Sequence, residues 1–265
     1  MTIVAAVQMV STPVVEENIA SARRLVAEAA ATGARLVLLP EYWPIMGRSD
    51  SDKVGKAEQL GSGIIQQTMA ELAREHGIWL LGGTLPLVSD DPAKVINTTL
   101  VYDPEGKPAG RYDKIHLFGF TKGDESYNES RTIVPGKHVG TVDTAVGKVG
   151  MAICYDLRFP ELFRAMGPVN LIVVPAAFTY TTGKAHWEVL LRARAIENQC
   201  YVLAAAQGGM HVNGRRTWGH SMLIDPWGDV KAVLAEGEGV VHGALDTAYL
   251  DSVRESLPAL RHRTM

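Results

Sequence analysis

The chain has 265 residues, 46% of them apolar and 21% charged, with a formal net charge of −3. That length suits one large α/β domain or two small ones around a sizeable core. The mildly acidic balance argues against a nucleic-acid partner or a polybasic membrane contact, and no apolar run reaches transmembrane length.

Residues 3–9 are apolar but lack a basic leader and a small-residue cleavage site, so they read as a first strand and not as a signal peptide. Residues 16–31 read as an amphipathic helix with Ile19, Ala22, Val26 and Ala29 on one face, stopped by Gly33. A short apolar strand over 35–40 ends at Glu41. A second helix is predicted over 62–76, closed by Gly77, and a strand over 78–85. Next come two hairpins. Residues 97–103 and 109–115 flank Pro104-Glu105-Gly106-Lys107, and residues 141–144 and 148–153 flank Ala145-Val146-Gly147. A buried strand is expected over 171–175, a helix over 185–198, and strands over 201–206, 219–224 and 230–234. No linker, repeat or low-complexity run divides the chain, which reads as one domain over 1–265. Helices before and after a strand-rich middle suggest sheets packed face to face with helices outside.

Four polar positions interrupt this pattern with chemistry. Cys154 follows the run Val149-Gly150-Met151-Ala152-Ile153 and precedes Tyr155-Asp156-Leu157-Arg158 and the helix-opening Pro160-Glu161. A free cysteine usually just packs. A thiol on a sharp strand-to-helix turn has instead the geometry of a nucleophile, with a backbone N–H beside it to receive an oxyanion. Cys200, the other of two cysteines, follows a helix with nothing to aim it and is assigned to packing. The pair forms no disulfide framework or metal knuckle, and a reducing cytoplasm is the default setting. Glu41, at a strand end among Pro40, Tyr42, Trp43 and Pro44, is either a desolvated general base or a carboxylate facing water. Lys114, at the end of the first hairpin, is either a solvated strand lysine or a cation that favours a thiolate and stabilises an oxyanion. Glu129 is either a loop charge or a group that orients Lys114 or the substrate. The eight histidines fall in no pattern typical of a Cys-His pair or a metal set.

Taken together, Leu39-Pro40-Glu41, Tyr112-Asp113-Lys114-Ile115-His116-Leu117, Glu129 through Pro135-Gly136, and Ile153-Cys154-Tyr155-Asp156-Leu157-Arg158-Phe159-Pro160-Glu161 resemble the nitrilase, or carbon–nitrogen hydrolase, superfamily. The resemblance runs nearly end to end. It implies an α/β fold, a four-layer α-β-β-α sandwich, in chains that associate as homodimers or larger homo-oligomers. It implies an enzyme with a triad of Glu41 as general base and acid, Lys114 as electrostatic stabiliser and Cys154 as nucleophile, with Glu129 as a second active-site glutamate. No metal or organic cofactor is implied.

The later segments, including Trp218-Gly219-His220-Ser221-Met222 and Asp225-Pro226-Trp227-Gly228, are similar to the Nit-type amidase branch. That likeness implies cleavage of deaminated glutathione to 2-oxoglutarate and cysteinylglycine, with 2-oxoglutaramate hydrolysis as the alternative substrate reading. A non-catalytic interaction protein on the same fold is the alternative of another class. Either substrate carries carboxylates. Arg158 is therefore a candidate to bind one or to pair with Asp156 or Glu161, and Tyr155, Phe178 and Thr179 are placed at the pocket wall. Arg215 and Arg216, beside the Asn213-Gly214 turn, are expected to face solvent. Residues 118–128 are expected to form a loop lining the pocket.

Overall fold

The computed structural model describes residues 1–123 and 125–264. From the N-terminus, β1 (Thr2–Gln8) leads into α1 (Val15–Ala31), β2 (Leu36–Leu38), α2 (Ile64–His76), β3 (Trp79–Leu81), β4 (Leu85–Val88), β5 (Val95–Tyr102) and β6 (Pro108–Asp113). A small hairpin of β7 (Gly119–Lys122) and β8 (Glu125–Asn128) precedes β9 (Gly140–Thr144), β10 (Gly147–Met151), α3 (Pro160–Ala165), β11 (Leu171–Ala176) and α4 (Tyr180–Asn198). The chain closes with β12 (Tyr201–Ala206), β13 (Ser221–Ile224), β14 (Val230–Leu234), β15 (Gly239–Leu245) and α5 (Thr247–Ser256).

Among the described residues, one sheet runs β15-β1-β2-β3-β5-β4 with β6 added on β5, and a second runs β14-β13-β12-β11-β10-β9. The period-two alternation of side chains sorts each strand between two layers. Val4 and Ala6 of β1 and Leu36 and Leu38 of β2 face inward, in one core with Val149, Met151, Leu171, Val173 and Leu203 of the second sheet. Their neighbours Ala5, Val7 and Val37 face outward and pack under Ala22, Leu25 and Val26 of α1 and Met69 and Leu72 of α2. On the far side, Trp187, Leu191 and Ala195 of α4 cover the second sheet. These layers are the α-β-β-α sandwich anticipated from the sequence.

Local chemistry fixes the helix ends. Glu58 accepts from the Ile65 and Gln66 N–H groups at the start of α2 at 2.7 and 3.1 Å, using donors that no helical carbonyl can satisfy. Gly77 ends that helix in the left-handed region at φ 61°, its N–H bonding the carbonyls of Ala73 and Arg74.

The centre of each sheet is parallel: β1 with β2 and β2 with β3 in one, β10 with β11 and β11 with β12 in the other. Their C-terminal ends meet at one edge of the sandwich, joined by a bridge between Met9 and Gln207. Segments leaving such strand ends are where open α/β sheets place ligands.

Three expectations are corrected. The strand predicted over 78–85 is two strands, because the chain kinks at Gly82-Gly83. Gly83 has φ 55°, and a Cβ there would lie 2.1 Å from the Pro40 carbonyl oxygen. The helix predicted from residue 185 begins at Tyr180, capped by the Thr179 hydroxyl, which accepts from Thr182 N–H. Residues 118–128 hold the β7–β8 hairpin where a loop was expected, and β15 and α5 were not anticipated.

Candidate active site

Glu41 leaves the end of β2 in a turn whose next residue, Tyr42, has φ 55°. The turn is held on three sides. Tyr42 N–H donates to Thr84 Oγ1 at 3.0 Å, Trp43 Nε1 to the Gly82 carbonyl at 2.8 Å, and Gln207 Nε2 to the Glu41 carbonyl at 3.1 Å. The Glu41 carboxylate is therefore fixed and only 1% exposed. Its Oε1 accepts from Lys114 Nζ at 2.9 Å and Asn97 Nδ2 at 3.1 Å, and its Oε2 from the Ala177 N–H at 2.9 Å.

Lys114 follows β6, and its backbone N–H donates to the Asn97 carbonyl across the β5–β6 pair. The ladder thus places two side chains from neighbouring strands on one carboxylate. Lys114 is buried, and its Nζ also reaches Glu129 at 3.0 Å (Oε1) and 2.8 Å (Oε2). Glu129 accepts further bonds from the Tyr42 hydroxyl and the Phe118 N–H, each at 2.7 Å. Burial works against the Lys114 ammonium, but Glu129 and Glu41 outweigh it and hold its pKa above the ordinary lysine value. Burial likewise opposes the Glu129 carboxylate, and the Lys114 charge together with the donors around it keeps its pKa below 4.5.

Cys154 opens a 3₁₀ turn, Cys154–Arg158, with φ 49°. A non-glycine residue rarely takes this conformation, and the surroundings must hold it there. Asp156 does so. Its Oδ2 accepts from Ile153 N–H at 2.9 Å and from the Tyr112 hydroxyl at 2.7 Å, and its Oδ1 from His116 N–H at 3.0 Å. Burial pushes the Cys154 thiol well above 9.0, and the facing Glu41 carboxylate, to which it hydrogen-bonds, pushes it further. Lys114 pulls the other way without reversing the shift. The resting group is a neutral thiol with a carboxylate placed to accept its proton. Cys200, buried and away from these groups, is pushed up to about 12 by burial.

Glu41, Glu129 and Cys154 border one narrow cleft, which Tyr155, Arg158, Phe178 and Thr179 complete. The four sequence-predicted polar residues therefore converge, and so do the four wall residues. Arg158 makes no ion pair with Asp156 or Glu161. Its Nη1 lies 3.2 Å from His186 Nδ1, and its guanidinium sits 5.5 Å from the Phe178 ring centre. Arg216 is exposed on Glu236 as expected. Arg215 is half-buried where solvent was expected: its Nη2 donates to the Ala177 carbonyl at 2.6 Å, and its Nε is buried.

Asn97, Tyr42, Asp156 and Gln207 were not picked out from the sequence. Asn97 had a signal, because Asn97-Thr98-Thr99 is a polar run inside an otherwise apolar strand, and all three are buried. Gln207 acts on Ser11 and Glu41, far away in sequence, and nothing local marks it, while Asp156 joins the adjacent Ile153 N–H to the distant Tyr112 and His116.

A thiol on a strained turn, a carboxylate in reach of it and a buried ammonium beside both define a site able to attack a carbonyl and move one proton. This chain belongs to the carbon–nitrogen hydrolase family, whose model matches residues 3–255. Deaminated glutathione amidase of Yersinia enterocolitica is 43% identical over 236 residues, which are 87% of this chain and 82% of the relative. The crystal structure of Saccharomyces cerevisiae Nit3, a member of branch 10 of the nitrilase superfamily, superposes with a TM-score of 0.87 at 31% identity, covering 100% of this chain and 97% of that one. The Caenorhabditis elegans NitFhit protein superposes with a TM-score of 0.90 at 39% identity, and this chain spans 65% of its length. The protein is an enzyme of the amidase class.

Proposed function

We propose that the protein hydrolyses the γ-amide of deaminated glutathione through a thioester on Cys154. The observation that carries this reading is the Lys114 ammonium clamped between Glu41 and Glu129, two carboxylates that line the cleft with Cys154. The similarity to deaminated glutathione amidase supports the substrate.

In the first half-reaction, Cys154 Sγ attacks the amide carbon while Glu41 takes the thiol proton. The tetrahedral oxyanion develops beside Lys114 Nζ and the Tyr155 backbone N–H, which stabilise it. Glu41 gives the proton to the leaving nitrogen, the C–N bond breaks, and a 2-oxoglutaryl thioester remains. In the second, Glu41 takes a proton from water, the hydroxide adds to the thioester, and the C–S bond breaks. The proton returns to Sγ and 2-oxoglutarate leaves. Glu129 does not exchange protons in this scheme. It holds Lys114 charged and aimed. Arg158, which faces the cleft without a carboxylate partner of its own, receives the 2-oxo acid end.

Incubation with deaminated glutathione and, separately, with 2-oxoglutaramate tests the reading by release of 2-oxoglutarate. Faster turnover of the glutathione analogue, abolished in Cys154→Ala, is expected. Preference for 2-oxoglutaramate moves the assignment to an ω-amidase, and turnover of neither refutes the substrate.

A further inference from the structure

The cleft against Cys154 is narrow. Next to it opens a chamber of about 410 Å³, within the size range of small-molecule sites. Phe118, Glu129 and Arg215 form part of the wall of both. A substrate whose acyl end lies on Arg158 in the cleft can extend its other end into the chamber.

The chamber wall carries cations with unmet demand. Lys53 is 9% exposed, lies 5.5 Å from the Tyr42 ring centre, and makes no ion pair among the described residues. Asp50 and Glu129 attract it from a distance, and Arg215 and Lys114 repel it. Burial lowers its pKa from the ordinary lysine value, so the charged form is held at a desolvation cost. Arg215 is stacked 5.2 Å from the Tyr127 ring centre, and its buried Nε has no hydrogen-bond acceptor. Arg48 stands at the exposed mouth. Of the chamber's acids, Asp50 is exposed and makes no ion pair among the described residues, Glu129 is committed to Lys114, and Glu125 accepts from the Thr181 hydroxyl through Oε1 while its Oε2 is buried and unpartnered.

Arg158 borders only the cleft, whereas Lys53 and Arg48 border only the chamber. Cations stand on two sides of the reacting carbon. We propose that the chamber is the leaving-amine subsite, and that Lys53 with Arg215 binds a carboxylate at the far end of that amine. This inference rests on the amidase reading above and adds the half of the substrate that leaves first. A peptide-like amine ending in a carboxylate fits it. Its anion meets a buried ammonium and a half-buried guanidinium, and a neighbouring N–H or S–H can donate to Glu125 Oε2. Ammonia would leave the chamber's cations unmatched.

The test uses three amides of 2-oxoglutarate that share the acyl group: the primary amide, the cysteinylglycine amide, and the same dipeptide amide with its terminal carboxylate replaced by a carboxamide. In the wild type, kcat/KM for the carboxylate form is expected to exceed that for the carboxamide form at least tenfold. Lys53→Met should bring that ratio close to one. The ratio is the readout because a general loss of activity leaves it unchanged. Arg215 is a poorer target, since it bonds the carbonyl of Ala177, whose N–H bonds Glu41. A wild type that treats the two dipeptide amides alike overturns the subsite, as does a Lys53→Met ratio equal to the wild type's. If Lys53→Met does not fold, the wild-type ratio and its decrease in Lys53→Gln decide the matter. If the wild type hydrolyses none of the three, the reading of its acyl substrate falls as well, which separates the two failures.

Discussion

Glu129→Gln tests whether a charge that never touches the nucleophile controls it. The glutamate accepts from three donors, Lys114 Nζ at 2.8 Å and the Tyr42 hydroxyl and Phe118 N–H at 2.7 Å, with 13% of its side chain exposed. Glutamine keeps the volume but replaces one acceptor oxygen with an NH₂ group. Whichever way the amide sits, at least one donor faces another donor. Removing one partner of a buried ion pair costs about 3–5 kcal/mol when the remaining charge is uncompensated. Here Glu41 still faces Lys114 at 2.9 Å. The stability loss is therefore closer to that of one unsatisfied buried group, about 1–3 kcal/mol. Lys114 loses the ligand that aims it, and misplacing one preorganised donor lowers kcat about 10²–10³-fold. Steady-state kinetics should show that loss chiefly in kcat, and denaturant titration should show the stability gap. The gap has a pH signature. The folded Glu129 pKa lies below 4.5, so the carboxylate contributes stability above that value and loses it as pH falls through the folded pKa. Wild type and variant should converge in acid. A variant with wild-type kcat, or one whose deficit stays the same at low pH, would refute the reasoning.

Two other predictions follow from the same geometry. Because the Cys154 pKa is well above 9.0, alkylation by a neutral reagent should be slow at pH 7 and rise with pH. Above pH 9 the folded state retains a proton that the unfolded chain releases, so stability should fall there more in wild type than in Cys154→Ala. Rapid, pH-independent alkylation below pH 7 would contradict this. Gly83→Ala should destabilise by at least about 1–3 kcal/mol, from a strained positive φ alone. It should also lower kcat, because the added carbon meets the Pro40 carbonyl next to Glu41. Thermal melting and kinetics would detect both effects, and a neutral outcome would show that the Glu41 turn is looser than described.

The parts of this molecule that were legible in the sequence are those where local pattern and tertiary demand coincide. The apolar run of β1 and the helical spacing of α1 mark residues that the folded chain buries in its two cores. Glu41 and Cys154 stand out because each ends an apolar run, whereas Lys114 stands out only through the resemblance carried by Tyr112-Asp113-Lys114-Ile115-His116-Leu117. The reading failed where a local signal was weak or a partner distant. Thr181-Thr182-Gly183 disfavour a helix intrinsically, yet the Thr179 cap and the packing of Trp187 carry α4 back to Tyr180. Gly82-Gly83 sits inside an apolar stretch, and only the approach of the Pro40 carbonyl turns it into a kink. Arg215 follows a turn signal that ordinarily marks solvated residues, and its burial depends on Ala177 and Tyr127 arriving from elsewhere. Lys53 has no sequence mark at all.

The account rests on a covalent bond to one sulfur. Rapid quenching of the enzyme with deaminated glutathione, followed by mass analysis of its peptides, measures that bond directly. A 2-oxoglutaryl adduct on the peptide that contains Cys154, appearing before steady state and absent in Cys154→Ala, is the predicted result. Turnover that persists in Cys154→Ala, or an adduct carried by any other residue, would contradict it.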